Sequence, residues 1–225
     1  MNRIMFNTRY GLHDSVEKGL KTRTLREGML VKGELKSELT EDGHLKVYST
    51  SPDSNFNHIS KYRVGETLSV LESYSTMYED MKSKGVLHGY TQEKLDGFYN
   101  RYHDTKGWSN KMFVSADVMF KRIEITDVFL ERLQDISEEN ALLEGVRVAN
   151  EPTKVDIFRQ GLGTVPYLYY IPDFTSDIKM YFRTPIDAFA CLMDKLNGKG
   201  YWEANPYHIG YKFHYIDTRL DYMAN

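Results

Sequence analysis

Gly19-Leu20-Lys21-Thr22-Arg23-Thr24-Leu25-Arg26 places three cations and two hydroxyls within six residues, at the exit of an apolar-periodic stretch. Upstream, Leu12, Val16 and Leu20 recur every fourth residue behind Asp14, a spacing that predicts a short helix capped by Asp14 and running into Lys21. If the chain is extended after Lys21, side chains alternate, so Thr22, Thr24 and Arg26 share one face and Arg23 points the other way. Such a face offers hydroxyls beside a guanidinium, with Lys21 leaning over it. A solvated basic edge, which protects many strands from aggregation, gives the same pattern.

A second stretch, Arg132 to Gly145, reads as a helix with Ser137 as its cap and Gly145 as its stop. Glu138 and Glu139 sit in the first turn, where the helix dipole favours them. Glu144 sits at the opposite end, where a carboxylate is disfavoured by up to about 1 kcal/mol and asks for a nearby cation. Lys21 or an arginine of the first stretch would serve. A third stretch runs from Lys195 through Gly198 and Trp202-Glu203-Ala204-Asn205-Pro206, a turn signature leading into a last strand. Trp202 is suited either to stack on a base or to seal the edge of the core.

Around these stretches the pattern is mixed. Ile4 and Phe6 open a strand, Val64 to Glu72 alternates about Leu68 and Val70, Met112 to Ser115 and Phe120 to Val128 give two more strands, and Ile209, Tyr211, Phe213 and Tyr215 close the chain. Thr184-Pro185 starts a helix whose buried stripe is Phe189, Leu192, Met193 and Leu196. Residues 34 to 62 read as a ragged hairpin or excursion, residues 74 to 110 as an insertion with one helix near Gln92 to Tyr99, and residues 150 to 180 as irregular. No βαβ unit repeats, which favours an α+β domain with a barrel-like mixed sheet over a parallel α/β fold.

Composition narrows the function. The chain has 225 residues, 41% hydrophobic and 13% aromatic, enough for a core, and its net charge of −3 excludes a broad basic field for coating nucleic acid. Contact with nucleic acid must then be local. Cys191 is the one cysteine, so no internal disulfide forms; with no apolar leader and no run of roughly 18 apolar residues, the expectation is a cytoplasmic protein that spans no membrane. The seven histidines show neither zinc-ligand spacing nor a cysteine partner, and Gly161-Leu162-Gly163 lacks the lysine of a phosphate loop, so no metal or cofactor is expected.

Taken in order, these motifs resemble the ASCH-domain family of the PUA-like superfamily. The resemblance rests on Gly19, Lys21, Thr22, Thr24 and Arg26; on Gly65, Glu66, Leu68, Val70 and Glu72; on the helix from Leu133 to Gly145; and on Trp202, Asn205 and Pro206. It covers about half the chain, leaving insertions at about 35–60, 76–110 and 150–180 in a single domain spanning 1–225, and Lys111-Met112-Phe113 stands where long members carry His-Met-Pro. It implies a PUA-like mixed β-barrel with flanking helices, and RNA or a modified nucleoside as partner.

Some small members remove the acetyl group of 4-acetylcytidine with a lysine, a threonine and a glutamate. Here the motif carries those roles to Lys21, Thr24 and Glu144, and ligand contacts to Thr22, Arg23, Arg26, Glu72, Trp202 and Asn205. Thr24 would be the nucleophile, Lys21 its base, and Glu144 the group that holds the lysine and shuttles a proton to the leaving amine. A lysine with its ordinary pKa near 10.4 needs a drop of roughly three units to act so, and a charged Lys21 stabilising an oxyanion while Glu144 activates water is the other arrangement. A binding module without chemistry, or a ribonuclease, fits the same residues.

Overall fold

The computed structural model describes residues 2–149, 160–161, 167–177 and 179–218. Its strands are β1 (Arg3–Ile4), β2 (Arg23–Met29), β3 (Leu35–Leu39), β4 (Leu45–Ser49), β5 (Asn57–Ile59), β6 (Thr67–Val70), β7 (Lys121–Arg132), β8 (Arg147–Ala149), β9 (Leu168–Tyr170), β10 (Tyr181–Phe182) and β11 (Tyr207–Asp217). The helices are α1 (Leu12–Glu17), α2 (Tyr74–Lys84), α3 (Gln92–Tyr102), α4 (Glu138–Leu143), α5 (Pro185–Asn197) and α6 (Tyr201–Ala204). The fold is α+β, and no described helix is long and apolar enough to cross a membrane.

The chain divides into two compact units. One comprises Met1–Phe6, Thr67–Glu124 and Tyr215–Asn225. In it β1 runs parallel to β6, and β6 pairs antiparallel with the start of β7 through Leu68↔Ile123. Leu68, Ser69 and Val70 are all buried, so β6 is covered on both faces, where alternation predicts one. The same unit holds the stretch read as an insertion with one helix, and it contains two. Ser73 caps α2 by accepting from the Thr76 N–H, and Tyr74, Met77 and Met81 bury against Leu95 and Phe120 in one apolar cluster. The strand expected at Met112 to Ser115 is instead a 3-10 turn over Lys111–Phe113. The Asn110 side chain accepts the Met112 N–H at 2.9 Å, which offers the backbone a local bond in place of a ladder.

The other unit comprises Asn7–Glu66 and Ile125–His214. Here β11 lies between β7 and β2, with Tyr211↔Thr24 and Lys212↔Arg23 in register. Residues 34 to 62 form the antiparallel sheet β3-β4-β5, its Leu35, Leu45 and Val47 buried. A second small sheet has the order β10-β9-β8. The excursion expected over 150 to 180 thus holds the strand β9, and its residues 150–159, 162–166 and 178 lie outside the described residues.

Two helix readings need correction. Gly11, at φ 63°, is the N-cap of α1; Asp14 lies in its first turn, and the helix stops at Glu17, leaving Leu20 48% exposed. The positive φ suits only glycine well, so the chain enters α1 earlier than the polar signal suggests. In α5, Thr184 caps by accepting from the Asp187 N–H, and Phe189, Leu192 and Met193 are buried, but Leu196 is 39% exposed because the helix ends one residue later.

Candidate functional site

All the parts of the first candidate centre belong to the second unit. Between α1 and β2 the Leu20 and Lys21 N–H groups both donate to the Ser15 carbonyl, which turns the chain, and the Thr22 N–H then donates to Leu143 O at 3.1 Å. The helix α4 closes in a Schellman motif: Val146 N–H donates to Ala141 O and Gly145 N–H to Leu142 O, with Gly145 at φ 106°. Ala141 and Val146 are both buried, as the hydrophobic contact of that motif requires. Glu144 is therefore fixed at the C-cap of α4, at the start of β2.

Lys21 Nζ donates to Glu144 Oε2 at 2.7 Å and to the Glu144 carbonyl at 2.8 Å. One ammonium thus answers both the carboxylate and the negative end of the helix, which supplies the cation that the position of Glu144 requires. Arg23 Nε donates to the other carboxylate oxygen at 3.2 Å, and its Nη2 reaches Glu131 Oε2 at 2.5 Å. The Arg23 guanidinium also lies 4.7 Å from the Phe129 ring. Lys21 is 2%, Arg23 1% and Glu144 4% exposed. Arg23 takes the side opposite Thr24 and Arg26, as alternation predicts, and there it joins the Lys21–Glu144 pair.

Charge and burial act together here. Burial pushes the Lys21 amine below its ordinary value, more than the attraction of Glu144 restores. Burial alone would raise Glu144, but the charges of Lys21 and Arg23 and their hydrogen bonds hold it below its ordinary value. Burial raises Glu131, against the pull of Arg23. The carboxylate of Glu144 is thus firmly ionised, and the Lys21 proton is held less tightly than in water.

Thr24 and Arg26 share a face, as alternation predicts: Arg26 Nε donates to Thr24 Oγ1 at 3.2 Å. Thr24 is 4% exposed. The Arg26 charge lies within range of Glu144, Tyr62 and Tyr211. Its backbone is fixed by a bulge, where Glu27 and Gly28 oppose His208 alone between the pairs Ile209↔Arg26 and Tyr207↔Met29. Glu27 sits at φ 48°, which is strained for a residue with a Cβ. Three donors hold it there: the Tyr211 hydroxyl, His58 Nε2 at 2.8 Å and the Lys61 N–H at 3.2 Å.

Across the bulge His208 Nδ1 donates to the Arg26 carbonyl at 3.0 Å and its Nε2 accepts from the Tyr201 hydroxyl at 3.1 Å. Burial lowers the His208 pKa, in keeping with this neutral ring. A Cβ at Gly28 would meet the Tyr201 hydroxyl oxygen, so the Tyr201 side chain would have to shift to admit one.

The remaining candidates lie elsewhere. Thr22 is half-buried beside the centre and contributes its backbone. Trp202 packs edge-on against Phe189 and its carbonyl accepts from Gln134 Nε2, while Asn205 Oδ1 accepts the Gln134 N–H. Both tie α6 to the turn before α4. Glu72 belongs to the other unit, where it is 3% exposed and paired with Lys121 at 2.8 Å. Glu131, Glu27, Tyr211 and His208 escaped the sequence reading, because their partners are set by strand register and a bulge, which leave no local signal.

A groove of about 1120 Å³ opens on the outside of the two segments that carry the pair, lined among others by Gly19, Leu20, Leu142, Leu143, Val146 and Arg147. Lys21, Thr24 and Glu144 do not line it. Comparison of the chain with protein-family models, curated proteins and solved structures gave no match.

Proposed function

We propose that the Lys21–Glu144 centre hydrolyses the amide of an N-acylated nucleoside, of which 4-acetylcytidine is the type, within a PUA-like fold of the ASCH kind. The reading rests on the resemblance and on one observation above all: the Lys21 amine meets the Glu144 carboxylate at 2.7 Å across 123 positions of sequence. Two features support it further. Burial moves the Lys21 pKa in the direction a base needs, and the Arg26 donor occupies one lone pair of Thr24 Oγ1, leaving the hydroxyl proton to be given up.

In this mechanism Lys21 first loses a proton to solvent, which its lowered pKa favours; Thr24 Oγ1 then attacks the acyl carbon, its proton passes to the neutral Lys21 amine, and the C–N bond breaks as Lys21 returns that proton to the departing amine. The acyl group is then an ester of Thr24. Water attacks the ester with Lys21 again taking the proton, the C–O bond breaks, and the proton restores the Thr24 hydroxyl as the carboxylic acid leaves. Glu144 holds the lysine through both steps.

The depth of burial supports a second reading, in which the same ions form a clamp fastening α4 to β2 in a binding module without chemistry. Incubation with 4-acetylcytidine, with release of cytidine followed by chromatography, separates the two. The enzyme reading expects turnover that falls by about 10² or more in Thr24→Ala with melting temperature unchanged. A folded wild-type protein that releases no cytidine from it or from other N-acyl nucleosides leaves the clamp.

A further inference from the structure

The groove behind the Lys21–Glu144 pair is a second concave surface with a chemistry of its own. Its lining belongs entirely to the second unit, and Lys21, Thr24 and Glu144 take no part in it. At about 1120 Å³ it stands just above the roughly 300–1,000 Å³ of ordinary small-molecule sites. Leu142 and Leu143 are half-buried in its wall, whereas Leu20, Val148 and Phe174 are 48%, 40% and 69% exposed. Single exposed apolar side chains are ordinary, but three around one concavity form a surface that gains from being covered.

One cation is built into this wall. Arg147 begins β8, and its Nη2 donates to Ser15 Oγ at 2.8 Å and to Asp14 Oδ2 at 3.2 Å. Ser15 is wholly buried and donates in turn to the Gly11 carbonyl at 2.7 Å, so a fixed group of α1 sets the position of the guanidinium. The Arg147 side chain is 16% exposed. Among the described residues its Nε and Nη1 take no hydrogen bond, and neither is sealed from solvent. N–H donors of a charged group already held in place are thus open to an anion in the groove, where a charge-assisted hydrogen bond is strongest. Tyr170 stands opposite Arg147 on β9, with Lys179 5.6 Å from its ring.

The surrounding charge has the matching sign. The lining carries Lys18, Arg147 and Lys179 against Asp14, Asp173 and Asp177. Asp14 is shared by Lys18, at 2.9 Å, and Arg147. Asp173 is held from outside the lining by Arg9, at 3.1 and 3.2 Å, with Lys195 at 3.9 Å. With those two partners counted, five cations meet three anions, an excess of two in a chain whose net charge is −3.

We infer that the groove binds a monocarboxylate with an extended apolar body, of the kind a free acyl-chain acid offers. The carboxylate meets Arg147, and the chain covers Leu20, Val148 and Phe174. A group of higher negative charge would stand against Asp14, which shares Nη2 with it, whereas a single carboxylate leaves that pair in place. The apolar walls add affinity with each CH₂ they cover. Binding here goes beyond the reading of the Lys21 centre and does not depend on it.

Isothermal titration calorimetry of the whole protein with decanoate, kept below its micelle-forming concentration, tests this. One decanoate should bind per chain. Hexanoate, shorter by four CH₂ groups, should bind at least about tenfold more weakly, since each buried CH₂ is worth about fourfold. Decan-1-ol keeps the body and lacks the charge, and should bind about tenfold more weakly than the acid. Arg147→Gln should bring decanoate down to the affinity of the alcohol. Leu20→Asp alters an exposed side chain away from the Arg147 bonds, and should weaken acid and alcohol alike with the melting temperature unchanged. Folded protein that binds no decanoate, binding indifferent to both substitutions, or an alcohol that binds as tightly as the acid would overturn the proposal.

Discussion

Glu144 carries three demands at once: it ends a helix, it is almost fully buried, and it shares its two carboxylate oxygens between Lys21 and Arg23. Removing one partner of such a pair leaves a buried charge without its counterion, which costs about 3–5 kcal/mol. Lys21→Met and Glu144→Gln should therefore each lower stability by about that amount in urea unfolding. The pH dependence has a definite sign. Because the folded-state pKa of Glu144 lies below its ordinary 4.5, its ionised form contributes stability that is fully present above that value and is lost as pH falls through the lower, folded one. Glu131, raised by burial, works in the opposite direction. Stability measured between neutral and acid pH should fall less steeply in Glu144→Gln than in the wild type.

Among the elements, the β2–β11 ladder depends on its bulge. The strain at Glu27 is offset by its three donors, and Tyr201 keeps its place because residue 28 has no Cβ to meet its hydroxyl. Gly28→Ala should destabilise the protein by about 1–3 kcal/mol. In a Tyr201→Phe background, where the obstructing oxygen is gone, thermal unfolding should show part of that loss recovered. A full, undiminished loss would place the strain elsewhere. Gly145→Ala should act on α4 for a different reason, since it puts a Cβ on a residue at φ 106° and 2.9 Å from Leu12 Cδ2. A cost of about 1 kcal/mol or more is expected from the conformation alone, read as a drop in melting temperature.

At the scale of the molecule, what the sequence discloses follows from how local the responsible physics is. Caps at Ser137 and Thr184 are legible because a hydroxyl and the N–H it satisfies lie three residues apart. The meeting of Lys21 and Glu144 is legible because a carboxylate at a helix C-terminus is an anomaly that only a distant cation resolves. The helix α2 hides because its few apolar residues gain their burial from α3 and Phe120, along the chain, and the role of Arg23 hides because alternation tells which side of the strand it takes but not that Glu144 and Glu131 lie there. Nothing short of the folded strands reveals Glu27.

The whole account turns on the claim that two distant segments build one buried ionic centre, and a double-mutant cycle in urea with Lys21→Met and Glu144→Gln measures it directly. Residues in direct contact should show a coupling of about 1 kcal/mol or more, with the double variant well short of the sum of the two losses. Losses that add to within about 0.5 kcal/mol would mean that the two side chains do not sense each other, and the shared centre would be contradicted.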